Sequence, residues 1–499
     1  MKAKNIFQIG LFLLLLNSCS DSFLDLSPFT SQNSGNFYKT EEQMLQAVNG
    51  AYSNLQGYAN RAYVLEEMRS DNATIDNAQD AGGLGRYTPI TEFYISTDDK
   101  FVLSAWRKIY NAVADINMPL SKLPGADIKE TTKKRFEGEL KFLRAFFYYV
   151  AVNYWGEIPL VTTTLNASEA FAIGKSDVNT VYQAIISDLQ DAANSLPASY
   201  SDSDDIGRAT KGAAYALLGK VYLTLKDYDN AITALRKVQG YSLVANYADI
   251  FDPAHENGPE SIFEVQYMEG PYNQYSNFQY QFAPFKSKTV VDPAWGAPYG
   301  ANMPTNDFLK QYEEGDLRLG ATVGFETMVE DYTGNNLTIK VPYVKKYNHP
   351  HAVIGQTGNN WVILRYADVM LMLAEALNEK GYSTGEPFDL INAVRNRAGL
   401  ANLTPDGVAG QAAFRLAVEK ERRIELAFEN QRWFDLLRSG HALETMKAFG
   451  ASELANPTTP INPVSPPVSV AYQIEEYELL LPIPDAEIII NDIGQNPGY

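Results

Sequence analysis

Apolar residues recur along most of this chain at three- and four-residue intervals, the spacing of a buried helix face. The clearest case runs from Lys134 to Tyr154, where Phe142, Ala145, Phe146, Tyr149 and Val150 form one stripe. Phe147 and Val152 lie off that stripe, so this helix is expected to be covered on more than one side. Trp155-Gly156 ends it, and Pro159 blocks resumption. Upstream, Thr40 with Gln43 three residues on predicts a capped helix entry, with the helix running to about Leu55. Another helix is expected from about Leu103 to Leu123, stopping before Pro124. Residues 71–100, rich in Asp, Asn and Gly, read as a loop.

Residues 210–240 carry a tetratricopeptide-like helix pair. Tyr215, Leu218, Gly219 and Tyr222 have the spacing of the first helix of that repeat, and Ala231 and Leu235 that of the second. Asp227, Tyr228 and Asp229 are expected to form the turn between them. The small Gly219 and Ala231 allow close approach of the two helices. A second pair is expected around 366–396, with Tyr366, Val369, Met370, Leu373, Ala374 and Leu377 on one face. Residues 265–362 break the helical pattern. Gly, Pro, Asn and Tyr dominate, with strand-like pieces at Ser261–Val265 and Leu337–Val344. A long irregular insertion of this kind is often functional. Helices return to about Phe449, and residues 456–469 are a Pro-rich loop.

The first residues follow a different rule. Lys2 and Lys4 precede an apolar run from Ile6 to Leu16, then Leu16-Asn17-Ser18-Cys19. This order reads as a secretion signal ending in a bacterial lipobox. The run is shorter than the ~20 residues a bilayer span needs. Cleavage before Cys19 would expose a thiol and an amine for acylation, anchoring the chain to a membrane. Cys19 is the only cysteine, so once it is acylated no disulfide can form and stability rests on a large core. The net charge of −19 argues against nucleic acid as a partner, since phosphate binding needs basic patches. Aromatics are 12% of the chain, with 31 Tyr, a side chain suited to surfaces greasy on one side and wet on the other.

Several segments in fixed order resemble the SusD/RagB-like lipoproteins of Bacteroidetes-type bacteria. They are Phe23-Leu24-Asp25, Trp106-Arg107-Lys108-Ile109-Tyr110, Phe142-Leu143-Arg144-Ala145 and Gly156-Glu157-Ile158-Pro159-Leu160. Leu364-Arg365-Tyr366-Ala367-Asp368, Glu421-Arg422-Arg423, Glu425 to Glu429 and Arg432-Trp433-Phe434-Asp435-Leu436 come next. Leu481-Pro482-Ile483-Pro484 and Gln495-Asn496-Pro497-Gly498-Tyr499 complete the pattern. The resemblance implies a mostly α SusD-like fold, with tetratricopeptide-like pairs as scaffold and a loop-rich ligand face with short strands. It implies the divisions 1–18 signal peptide, 19–40 lipidated tether, 41–264 N-terminal helical region, 265–362 aromatic insertion and 363–499 C-terminal helical region. It also implies a non-catalytic protein at the outer membrane, facing the exterior. Such a protein binds a glycan, or in some branches peptide, and delivers it to a SusC-like TonB-dependent transporter. No cofactor is implied.

A sugar ring has an apolar face and a hydroxyl rim, so its binding calls for aromatic platforms flanked by Asp, Asn, Gln or Arg. Two loops offer this. The first holds Asp71, Asn72, Arg86 and Tyr87, and the second holds Tyr272, Tyr275, Phe278, Tyr280, Trp295 and Tyr299. Trp295 and Tyr299, beside Gly296 and Gly300, are the foremost candidates, followed by Tyr87 and Arg86. Each aromatic has an alternative role in packing the insertion onto the core. Arg432, Trp433 and Asp435 look catalytic but fall in the helical part, where arginine–carboxylate pairing is expected; Glu419 with Arg423 and Glu429 with Arg432 have helix-pair spacing. His349-Pro350-His351 lacks the further ligands a metal wants nearby. No phosphate loop, His-Glu-x-x-His or Gly-x-Ser-x-Gly is present. A surface glycan hydrolase would need two facing carboxylates, which 60 acidic residues neither reveal nor exclude. A pure protein scaffold is the remaining alternative.

Overall fold

The computed structural model describes residues 37–75, 87–270, 273–285, 287, 289–291, 298–330, 336–353, 355–459, 467–491 and 493–499. The signal segment, Cys19, Arg86, Tyr272 and Trp295 lie outside them.

Helix α1 spans Glu41–Ala62 and starts as its sequence dictates. Gln43 N–H donates to the Thr40 hydroxyl, and the Gln43 side chain accepts from the Thr40 N–H, closing a capping box. The helix runs past Leu55 and passes into a π-turn at Tyr63–Glu67. Helix α2 is Lys100–Lys122, capped by Asp99, whose carboxylate accepts from the N–H groups of Phe101 and Val102. It starts earlier than its apolar pattern indicates, because the cap lies upstream of the first stripe residue. Helix α3, Glu130–Trp155, is buried at every position from Phe142 to Trp155. It packs against α1, α2 and the next long helix, α4 (Val178–Ser195), which explains its all-round apolar character.

The repeat pair is α5 (Lys211–Thr224) and α6 (Tyr228–Leu235). A Cβ on Gly219 would lie 2.5 Å from Leu235 side-chain atoms, so the close approach read from Gly219 is real. The turn is shorter than expected. Asp227 caps α6 through the Asn230 N–H, while Tyr228 and Asp229 already belong to the helix. Helices α7 (Tyr366–Lys380), α8 (Glu386–Arg397) and α9 (Gln411–Glu425) continue the array. On α7, Tyr366, Met370 and Leu377 are half-buried, whereas Leu371 and Met372 are fully buried. The single face drawn from spacing is too narrow, because α7 touches α5 and α6 as well as α8 and α9. Helices α10 (Arg432–Ser439) and α11 (Ala442–Ala455) follow. Among the described residues, no helix is long and apolar enough to cross a membrane.

The insertion is tied at its root by an antiparallel pair, Ser261–Val265 with Trp361–Arg365. Within it, Val323–Glu330 pairs with Asn336–Val344. A third pair stitches the two expected ligand loops together, Ala73–Thr74 with Met303–Pro304. The end of the chain folds back onto α3. Asn496 Nδ2 donates to the carbonyls of Trp155 and Leu481, and the Tyr499 hydroxyl donates to the Leu480 carbonyl. Gly156 takes φ +73° where α3 ends, and a Cβ there would meet Leu480 at 2.9 Å.

The last turns of α9 send buried charges in several directions. Glu421 accepts from Arg318 and Arg395, Arg422 donates to Asp368 and Asp435, and Arg423 donates to Asn72 and Asp307. Glu425 meets Arg318 (3.0 Å), Arg365 (2.5 Å) and Arg397. Arg365 also pairs with Glu260 and Glu429, and Lys346 donates to Glu429 at 2.6 Å. Burial opposes ionisation of Glu425, yet Arg397, Arg365 and Arg318 hold its carboxyl well below the usual range. The helix pairs expected from spacing do not form. Glu419 faces His441 and Glu429 faces Arg365, because partners from other elements arrive with better geometry. Replacing Glu425 with Gln leaves three arginines short of a counter-charge, and about 3–5 kcal/mol of stability should be lost. Urea unfolding measures it, and a loss below about 1 kcal/mol would mean the arginines re-pair at no cost.

Candidate functional site

A cleft of about 760 Å³ opens where the two expected loops meet. Arg61 and Tyr63 come from the end of α1 and its π-turn. Tyr87 comes from the first loop, Ser96, Asp98 and Asp99 from the segment leading into α2, Lys100, Phe101 and Ser104 from the start of α2, and Asn277 and Gln281 from the insertion. The Tyr63 hydroxyl lies 3.3 Å from Gln281 Oε1, joining the two sides. Tyr87 and Phe101 meet edge to face at 5.2 Å. Arg61 Nε donates to the Ser104 hydroxyl at 3.1 Å, which fixes the guanidinium at the wall. The lining therefore mixes ring edges with hydroxyl, amide, guanidinium, ammonium and carboxylate groups. Such groups can meet both the apolar face and the hydroxyl edge of a polyhydroxylated ligand.

The two carboxylates of the lining have other partners. Asp99 caps α2, and Asp98 accepts from the Ser96 hydroxyl at 2.6 Å. Among the described residues, no three His, Cys, Asp or Glu converge as a metal site. His349 Nδ1 meets Asn359 Nδ2, and His351 Nδ1 meets the His349 carbonyl.

The expected site residues divide. Tyr87 lines the cleft but is 4% exposed, so little of its ring is offered to a ligand. Tyr299 is half-buried and packs edge to face on Tyr280 at 5.5 Å; Tyr275 is also half-buried. Neither lines the cleft. Asp71 and Asn72 are corrections, since both are buried and committed inside. Arg432 donates to both Asp71 oxygens at 2.8 and 2.9 Å, and Arg423 reaches the same carboxylate at 3.0 Å. Burial opposes ionisation of Asp71, but these two arginines outweigh it and hold the carboxyl down to about 2. Asn72 accepts from Arg423 and donates to Glu67. Arg432 and Asp435 are thus structural ion-pair members, and Trp433 is fully buried. Arg61, Tyr63, Phe101, Asn277 and Gln281 carry no signal in the sequence that marks them as lining a cleft.

Beneath Tyr63 the π-turn carries two buried carboxylates. Met68 N–H donates to the Tyr63 carbonyl five residues back, so one residue is added to the turn. Glu66 accepts from the Tyr58 hydroxyl at 3.0 Å and from the Tyr154 hydroxyl, and burial pushes its carboxyl up to about 8. Glu67 accepts from Asn72 and from the N–H groups of Phe428 and Asn430; burial raises it to about 7. Each group binds its proton more tightly folded than unfolded. Their contribution is fully present below about pH 4.5 and is lost as pH rises through the folded values. Glu66→Gln should flatten part of this fall in stability between about pH 5 and about pH 8, read by urea unfolding. A slope equal to the parent's would refute the assignment.

Comparison with known proteins gives one consistent result. The model for the SusD family matches residues 322–499, and one described as starch-binding, associating with outer membrane, matches residues 22–223. The chain is 28% identical to the SusD-like protein P25 of Formosa agariphila, covering 100% of both chains. It is 27% identical to a SusD-like protein of Bacteroides ovatus over 88% of this chain and 82% of that one. Among solved structures, a laminarin binding SusD-like protein superposes with TM-score 0.76 at 27% identity, covering 93% of this chain and 100% of that one. A SusD-like protein from Bacteroides fragilis gives TM-score 0.76 at 26% identity, covering 94% and 99%.

Proposed function

Since the chain belongs to the SusD/RagB-like family, we propose that it captures an oligosaccharide or polysaccharide at the cell surface without cleaving it. In this reading Cys19 carries the lipid anchor to the outer membrane. The captured glycan passes to a SusC-like TonB-dependent transporter. The observation that carries the reading is the cleft, where two segments distant in sequence contribute ring edges and hydrogen-bonding groups to one cavity. Binding is favoured over hydrolysis because a glycosidase needs a matched acid and base, while Asp99 is spent on capping α2 and Asp98 on Ser96. A laminarin-binding structural relative supports a glycan as cargo. Peptide cargo is the alternative, and it would use the same amides to hold a backbone.

The test is calorimetric titration of the soluble form starting after Cys19 with laminarin, starch and a peptide digest. Saturable binding to a glycan with no product release is expected. Lys100→Ala, Asn277→Ala and Gln281→Ala together should weaken it at least about tenfold, or 1.4 kcal/mol. The pair Trp295→Ala and Tyr299→Ala tests the aromatic candidates in the same assay and should also weaken binding. Unchanged affinity in a set discards that set as the site, and binding of peptide alone changes the cargo class.

A further inference from the structure

A second concavity lies on the helical-repeat side. It is a groove of about 240 Å³ with α5 as floor and α4 and α6 as walls. Tyr215 and Tyr222 sit seven residues apart on α5, two turns along one face, and both are half-buried. Gln190 and Asn194 come from α4, and Asn230 and Lys237 from α6 and the turn after it. Gln190 Nε2 lies 3.3 Å from the Tyr222 hydroxyl, and Lys237 Nζ sits 5.1 Å from the centre of the Tyr215 ring. Asn230 uses Nδ2 on Asp227, which leaves its carbonyl oxygen as an acceptor.

Three properties restrict what fits. In a chain with 60 acidic residues, this lining contains no carboxylate and one ammonium. Its rim consists of amides, the Thr233 hydroxyl and that ammonium, around a floor of Tyr215, Leu218 and Tyr222. Its floor offers two aromatic rings, and its volume is below the ~300 Å³ at which drug-sized sites begin. A ring with one apolar face and a hydroxyl edge meets all three conditions.

We propose that this groove is a second saccharide-binding site, separated from the cleft by α3. It shares with the proposed function only the class of ligand. A polysaccharide held at two points gains avidity that a short oligosaccharide does not.

The test uses the soluble chain and three variants. The groove variant combines Asn194→Ala, Asn230→Ala and Lys237→Ala, all exposed positions, leaving Tyr215 and Tyr222 to pack. The cleft variant is the triple substitution above, and the third variant combines both sets. Laminarin, its short oligosaccharides, starch and a peptide digest are the probes, with circular dichroism confirming the fold. The cleft variant should retain weak glycan binding that the combined variant loses. The groove variant should lose about tenfold in affinity for polymer but little for short oligosaccharide at the cleft. Loss of all glycan binding in the cleft variant, or parental polymer affinity in the groove variant, overturns the groove and spares the cleft reading. Glycan binding that survives in the cleft variant at full strength and vanishes in the groove variant overturns the cleft reading alone. Absence of glycan binding by the parent overturns both. Loss of peptide binding alone on groove substitution assigns the groove to protein and overturns the proposal.

Discussion

The carboxylate of Glu425, enclosed by Arg318, Arg365 and Arg397, is the constraint from which the other contacts take their positions. A buried charge is tolerable only with its partners in place, so these groups must arrive together. They arrive from the end of α9, the end of α8, the root of the insertion and the segment before Val323. On the same last turn of α9, Arg423 extends the lattice to Asp71 and Asn72. Those two precede Ala73–Thr74, which pairs with Met303–Pro304. The loops that line the cleft therefore hang from a fixed ionic seam. Net stabilisation by such a seam is modest compared with an apolar core, but its geometry admits few alternatives.

The cleft gains its rigidity from the same source. Tyr63 leaves α1 through a π-turn whose Glu67 is held by Asn72, Phe428 and Asn430. The added residue rotates the succeeding backbone by about 100° relative to the stripe of α1. Glu66 thereby reaches the two tyrosine hydroxyls of the core, Tyr58 and Tyr154. Recognition groups borne on helix ends and locked from behind hold their positions better than groups on free loops.

Local signals were legible in the sequence and distant ones were not. Thr40 and Gln43 lie three residues apart, so their capping box could be read directly. Gly219 lies within one repeat, so the close approach of its two helices could be read from spacing, and Leu235 is the side chain that fills it. Asp71 and Asn72 look like surface polar residues until Arg423 and Arg432 meet them, and those lie 351 and 361 residues downstream. The partner strand Val323–Glu330 was missed because pairing depends on a neighbour rather than on composition. The two loops read as ligand candidates each lend residues to the cleft, Tyr87 from one and Asn277 and Gln281 from the other, but the remaining lining groups are set by the π-turn and by Asp99 starting α2 early.

The tail from Gln495 to Tyr499 clasps the end of α3, with Asn496 reaching a carbonyl 341 residues back. It joins segments that lie far apart in the sequence. Contacts of such sequence separation form slowly, because the chain entropy of a very long loop is lost before any contact rewards it. The interior around Trp155 and Leu480 is therefore covered by a contact that spans most of the sequence, whereas the helical repeats close through neighbours.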